Sequence, residues 1–569
     1  MDRDRRKLLA GVGVGAVGGI AGCTGTDSPD DSGNATTTAT SNSSKKKTPD
    51  SDRVVTGSEL EEYETVSFTM QSYTKSLLPQ RYEWTHLFHD QLVNKLGVEA
   101  EVQIGQVGQI FDNWVNVDYD VNMAGWSGKP SRIDPNTFLS AFHTDGGLYT
   151  PNYSNPEYDE LVEKSQRETD REARKELVME AQQILAEDVP VVFLFADDAL
   201  AATNTANWSN YTSQIGDQNY VHVWNLMSME PQGDLPAIKA GTLFPATLNP
   251  MAPTKSADLM GLKMVYDRLV RLGPDGQPQP WAATEWTAPE PDTFDVTLRD
   301  DMTWHDGEDV TPEDVTFTIE FLQEWGVPYM KSFYDPIESV EVVDDNVVRF
   351  NLESASASFT GVNLALLFIL PKHVWDGLPE DEGLEHPKNY NDTQYVGSGP
   401  FTVNTFEESN RVVFDVYDDH WADFNVDSFI WKKYGGKTQA LATVEKGDAS
   451  WVVNIQPGQF ERAKQNQGVE ANGVSQHGWK AIYMNNARRP FDDKMFRKAV
   501  AHATDKERVI KLVYGGRADS IEGPIPPAND FWHNPDLPSY DGGEEKARRM
   551  LFEAGYRWNE DGTLLMPKE

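Results

Sequence analysis

From Tyr63 onward, apolar and polar positions fall into runs of strand and helix length. Val66-Ser67-Phe68-Thr69-Met70 alternates with a period of two and predicts a half-buried strand. A helical run over Trp84 to Leu96 and a second strand at Glu99–Ile104 follow. Glu157 to Glu187 predicts one long helix, with Leu177, Ala181, Ile184 and Leu185 on a common face. Pro190 ends it, because proline has no N–H to give the helix, and the apolar run Val191–Phe195 predicts a buried strand. After the short polar joint Glu230-Pro231-Gln232-Gly233-Asp234 the pattern restarts. Thr311-Pro312-Glu313-Asp314 predicts a helix start: a capping threonine, proline in the first turn, and an acid reaching back to the free N–H groups. Val315, Ile319 and Leu322 are its apolar stripe. Further helices are predicted at Asp493 to Ala503 and at Glu544 to Ala554, the latter closed by Gly555. Strands and helices alternating throughout predict α/β lobes.

The chain before Tyr63 has another character. Residues 24–62 are mostly Ser, Thr, Asp, Asn and Lys, a composition that cannot bury enough apolar area to fold and predicts a flexible tether. Asn34 and Asn42 there lie in glycosylation sequons. Residues 1–23 read as a targeting segment: charged Asp2 to Lys7, then a small-residue apolar run from Leu8 to Gly22, too short and weakly apolar to span a bilayer. Arg5-Arg6 resembles a twin-arginine signal, although Leu8-Leu9 stands where Phe-Leu is usual. Ile20-Ala21-Gly22-Cys23 resembles a lipoprotein box in which Cys23 is lipidated. The alternative is a simple signal peptide with an incidental cysteine.

Composition narrows the partners. The 569 residues are 39% hydrophobic, with 16 Trp, 20 Tyr and 25 Phe, enough for a large core. Ninety acidic against 50 basic residues give a net charge of −40, which repels nucleic acid and anionic lipid. That acidity, spread along the chain, reads as a solvated shell suited to a salt-rich, halophilic setting, where counterions screen it. Cys23 is the only cysteine, so an intramolecular disulfide or thiolate metal cluster is excluded.

Five segments belong together. They are Trp304-His305-Asp306-Gly307 followed by Val310 to Val315, the turn Gly397-Ser398-Gly399-Pro400-Phe401, and Asn485 with Pro490-Phe491-Asp492-Asp493 and Arg497 to Val500. Glu545-Lys546-Ala547 with Glu553-Ala554-Gly555-Tyr556 is a fourth, and Gly125-Trp126, Asp134-Pro135, Phe138 and Asn155 to Asp159 a fifth. Each is weak alone; together they are specific, and they resemble one family, the extracellular solute-binding proteins of dipeptide, oligopeptide, nickel and oligosaccharide importers. The resemblance implies a two-lobed, type II periplasmic-binding architecture with an extra subdomain, closing on solute by hinge motion.

The order of these segments departs from the family, whose chains carry the equivalents of residues 235–569 first and of 63–228 last. The expected organisation is therefore a circular permutation: signal 1–23, tether 24–62, a family C-terminal-type segment 63–228, a joint 229–234, a first lobe with outer subdomain 235–478, and the start of the second lobe 479–569. The end, Gly562 to Met566, would run into the beginning, Val66 to Met70. A truncated fusion of two incomplete proteins is the alternative.

The resemblance also implies a site. Gly125 and Trp126 correspond to a loop presenting backbone amides and an indole face to the ligand. Lys129 stands about where peptide binders carry an aspartate for the ligand's amino group, and a cation cannot hold an ammonium. Lys129 and Arg132, beside Asp134, would suit a carboxylate or phosphate, or else be solvated surface cations. Asn249, Trp451, Trp479 and Asn485 correspond to cleft-lining segments, with core packing the competing reading for each tryptophan. Trp304 and His305 are assigned to folding. His86 and His89, three apart on a helix, are expected at the surface.

The sequence has no H-E-x-x-H, no G-x-S-x-G and no zinc spacing, and Trp431 replaces the first glycine of the phosphate-loop-like Gly435-Gly436-Lys437-Thr438. The expectation is a monomeric binding subunit that is not an enzyme and carries no cofactor or metal. It would deliver a small peptide-like or oligosaccharide solute to the permease and ATPase subunits of an ABC importer, held outside the cell membrane by its lipid alone. A ligand-sensing receptor subunit and an exported carboxylate-pair hydrolase are the alternatives.

Overall fold

The computed structural model describes residues 53–129, 132–146, 150–215, 223–233, 236–391 and 394–568. The targeting segment, Cys23, Asn34 and Asn42 lie outside the described residues.

A single long strand, Val191–Asn204, organises the body. Its first half pairs antiparallel with Trp479–Met484, which continues through Val121–Trp126 and Ser67–Tyr73 to Glu99–Gly105 at the edge. Its second half pairs with Val469–Ser475 and Trp451–Val453, and the sheet runs on through Ala237–Gly241, Ser428–Lys433 and Arg411–Val416 to Phe401–Glu407. Twelve strands thus form one continuous hydrogen-bonded surface with a lobe at each end. Among the described residues the chain passes between lobes twice, once inside this strand at Ala196–Asp198 and once at Gln476–Gly478. Separate apolar cores fill the lobes: Trp281, Phe294, Trp304 and Trp431 belong to the first, and Trp84, Phe88, Phe496 and Trp558 to the second. A four-stranded antiparallel sheet, Ala283–Glu290, Thr293–Leu298, Val347–Leu352 and Ile337–Asp344, extends the first lobe outward.

Local signals in the sequence are used as anticipated. Thr311 caps the helix Pro312–Trp325 and Asp314 reaches back to its N–H, while Val315, Ile319 and Leu322 are buried. Trp304 is fully buried and His305 bonds the backbone of Gly397 and Gly399, so two of the motif segments are one tied corner. The anticipated long helix is instead two, Pro156–Arg167 and Arg171–Asp188. Asp170 accepts from the N–H of Ala173 and starts the second, a cap that outweighs the continuous helical periodicity. His86 and His89 are half-buried rather than at the surface, bonded to the carbonyl oxygens of Tyr82 and Ala100.

The two ends of the folded body meet. Tyr63–Thr65 pairs antiparallel with Leu564–Pro567, the N–H of Val66 donates to Leu564, and the N–H of Lys568 donates to Glu62 at 2.9 Å. The tether expected to reach Glu62 stops earlier: Val54 and Val55 dock against Trp558, and Gly57–Glu62 forms a helical turn. Val55 is buried there.

Candidate functional site

The two passages and the loop that leaves Val121–Trp126 lie together. At the first, Lys480 Nζ pairs with Asp197 at 2.5 Å, and Ser475 Oγ donates to Asp519 at 2.9 Å. Burial, then the neighbouring Asp519 carboxylate, raises the Asp198 carboxyl above its usual range. At the second, glycines permit an approach that no side chain would allow: a Cβ on Gly478 would stand 2.4 Å from the Gly128 nitrogen and 2.5 Å from the Trp126 oxygen. A Cβ on Gly125 would meet the Trp479 oxygen at 2.4 Å.

The loop carries the cations expected of it, one of them deeply placed. Arg132 is 8% exposed. It donates to the backbone oxygen and hydroxyl of Ser127 and lies over the Trp126 ring, 4.7 Å from its centroid. Trp126 donates its indole N–H to the Tyr483 hydroxyl at 2.9 Å, so ring, hydroxyl and guanidinium hold one another in place. Lys129 is half-buried and its backbone oxygen accepts from Nε2 of His477 at 2.7 Å. Tyr329 of the first lobe is within electrostatic reach of Arg132: burial and the Asp258 charge push its phenol up, and the Arg132 charge pulls it back. His477 has no signature in the sequence, because it meets the loop only through contacts about three hundred and fifty residues distant along the chain.

The other expected residues have internal partners. Asp134 caps the helix Pro135–Leu139 and pairs with Arg174 through both oxygens, at 2.7 and 2.9 Å. Asn249 binds its amide to the carbonyl oxygens of Pro387 and Tyr390 and accepts from Met251. Asn485 donates to Val117 and Tyr119 and accepts from Asn152. Trp451 is buried and stacked on Phe429, and Trp479 is fully buried among Phe138, Phe142 and Phe193. The structure thus joins Gly125, Trp126, Lys129 and Arg132 at the passage between lobes, while Asn249, Trp451, Trp479 and Asn485 are engaged in holding the frame.

The lobes touch across the opening. The N–H of Ala357 donates to Gln166 at 2.9 Å, Arg171 donates to Gln277 at 2.8 Å, and Ile133 packs into the first lobe's core. Among the described residues no three His, Cys, Asp or Glu side chains come together as metal ligands, and no helix is long and apolar enough to cross a membrane.

Known proteins resemble the chain over about half its length. It is 27% identical over 283 residues to the oligopeptide-binding protein AppA of Bacillus subtilis, covering 48% of this chain and 50% of that one. It is 27% identical over 318 residues to the dipeptide-binding protein of Escherichia coli, covering 51% and 58%. The chain therefore spans about half the length of the curated relatives it matches. The solved structure of HbpA2 from Haemophilus parasuis aligns with a TM-score of 0.48 at 22% identity, over 57% of this chain and 67% of that one. The model of the bacterial extracellular solute-binding proteins, family 5, middle part, matches residues 277–569, more than half of the chain. Members of that family bind solutes and are not enzymes, and the chain belongs to it.

Proposed function

We propose that this protein captures a small organic solute outside the cell by closing its two lobes and presents it to the permease and ATPase subunits of an ABC importer. The observation that carries the reading is the pairing of two strand passages with the loop bearing Trp126 and Arg132, a hinge with a binding surface built against it. The relatives named for oligopeptides and dipeptides favour a peptide-like solute over an oligosaccharide. Lys129 and Arg132, set where an ammonium-binding acid is expected, favour contact with a carboxylate. Export by the twin-arginine route, a lipid on Cys23, a halophilic setting and a monomeric state complete the proposal.

A thermal-shift panel tests it, since a ligand bound only by the folded state stabilises by about 2.7 kcal/mol at a hundred times its Kd. N-acetylated tripeptides with a free carboxylate are expected to raise Tm, and their C-terminal amides are not. A response that requires a free amine overturns the carboxylate reading. Lys129→Asp is expected to change this preference while leaving the protein folded, with a stability loss of no more than about 3 kcal/mol, the common range for a single substitution. An unchanged ligand profile removes Lys129 from the site.

We further propose that the chain is one circularly permuted binding protein. The support is the pairing of Tyr63–Thr65 with Leu564–Pro567, which leaves Glu62 and Lys568 in hydrogen-bond contact. A chain reopened near Gly233, with Lys568 joined to Tyr63 by a short glycine-rich linker, is expected to fold with Tm within about 5 °C of the original, a change of order 1 kcal/mol. An insoluble or molten product would favour a fusion of two fragments.

A further inference from the structure

We infer that His477 is a positioning residue that couples the ligand loop to the hinge, so that the loop and the second passage between lobes move as one piece. The inference rests on the solute-capture reading and adds how occupancy of the loop reaches the hinge. His477 lies in the three-residue passage Gln476–Gly478, between strand Val469–Ser475 on the first lobe and Trp479–Met484 on the second. A residue at such a place changes its backbone angles when the lobes swing, and its side chain is ordinarily free to follow solvent. Here it is 1% exposed and donates from Nε2 to the Lys129 carbonyl oxygen at 2.7 Å.

The surrounding backbone reinforces that bond. A Cβ on Gly128 would lie 3.0 Å from the Gly478 nitrogen and 3.2 Å from that of His477, so loop and passage are in main-chain contact. Ser127, Lys129 and Arg132 are bonded to one another. The N–H of Lys129 donates to Ser127, that of Arg132 to Lys129, and the Arg132 guanidinium returns to Ser127 over the Trp126 ring. The next residue, Ile133, packs in the first lobe and bonds its oxygen to Asn529 of the second. A chain of contacts therefore runs from the passage through Lys129 and Arg132 to the lobe interface, and a solute held by Trp126 and Arg132 stabilises the closed setting of the passage through it. Population of the closed form then depends on the difference in bonding between the two settings.

Paired probes on full-length protein read this directly. Leu512→Cys on the second lobe and Val343→Cys on the outer sheet of the first replace exposed residues, in a Cys23→Ser background that leaves no other thiol. With N-acetyl-trialanine as the probe solute, His477→Ala is expected to shift the ligand-free distance distribution toward open about tenfold and to raise the half-saturating concentration similarly, the effect of one lost buried hydrogen bond. His477→Gln, which retains an N–H donor at comparable reach, is expected to restore both. Gly478→Ala, which pushes loop and passage apart, is expected to open the protein as His477→Ala does. An unchanged ligand-free distribution in His477→Ala overturns the coupling, as does a fall in Tm that the glutamine variant fails to rescue. Unsubstituted protein that ignores every solute in the panel overturns the capture reading instead, while the ligand-free distributions still decide the coupling.

Discussion

Asp134→Ala is expected to lower the melting temperature of the second lobe by about 10 °C. The Arg174 guanidinium is 4% exposed, donates to both Asp134 oxygens, and stacks on Trp532 with 5.0 Å to the ring centroid. Removing the carboxylate leaves a buried cation with only the carbonyl oxygens of Ser165 and Ala357 as acceptors. Breaking a buried pair from one side costs about 3–5 kcal/mol, and losing the cap of Pro135–Leu139 adds about 1 kcal/mol. For a unit of about two hundred residues each kcal/mol moves Tm by roughly 2–4 °C. Asp134→Asn keeps the cap and one acceptor and is expected to lose about half as much. Scanning calorimetry of the three proteins decides it: an alanine variant that melts with the parent refutes the structural ion pair. A parent-like melt with lost solute binding would return Asp134 to the ligand.

Asp134 illustrates how far the sequence carried. The loop that contains it was legible, because Gly125-Trp126 and Asp134-Pro135 resemble a spaced motif of the family. That Asp134 turns inward to an ion pair was not, because Arg174 lies forty residues on and nothing in a periodicity records it. The internal bonds of Asn249 and Asn485 were illegible for the same reason: a buried amide that ties backbone carbonyls looks, in sequence, like an amide waiting for a ligand. Elements whose cause is local were well placed, among them the Thr311–Asp314 capping box and the helix Lys494–Ala503 capped by Asp493. The strand Val191–Asn204 was legible only to Phe195. Beyond it Asp197 and Asp198 interrupt the apolar run, and the strand continues because Val469–Ser475, far along the chain, supplies its partner. That extension makes the strand a passage between lobes, so the hinge is where local pattern and long-range pairing part company.

Trp479→Ala is expected to cost about 3–5 kcal/mol, the range for truncating a large aromatic in a filled core. Trp479 and Trp126 are cross-strand partners, so both rings leave the same face of the sheet, with centroids 6.3 Å apart. Phe193 meets Trp479 edge-on at 5.0 Å and Phe142 stacks at 6.3 Å, and the ring has no exposed surface. Its Nε1 has no hydrogen-bond partner among the described residues, so Trp479→Phe removes volume and no bond and is expected to cost only about 1–2 kcal/mol. The pair of variants separates packing from binding. If Trp479 supports Trp126 from the side, the phenylalanine variant melts slightly lower and keeps its affinity for N-acetyl-trialanine within about threefold, because under 1 kcal/mol is lost at the neighbouring ring. If Trp479 stacks on the solute, the same variant keeps its Tm and loses binding. The first outcome is expected, because a ring enclosed by five aromatic neighbours reaches a solute only by unpacking the core that positions the loop.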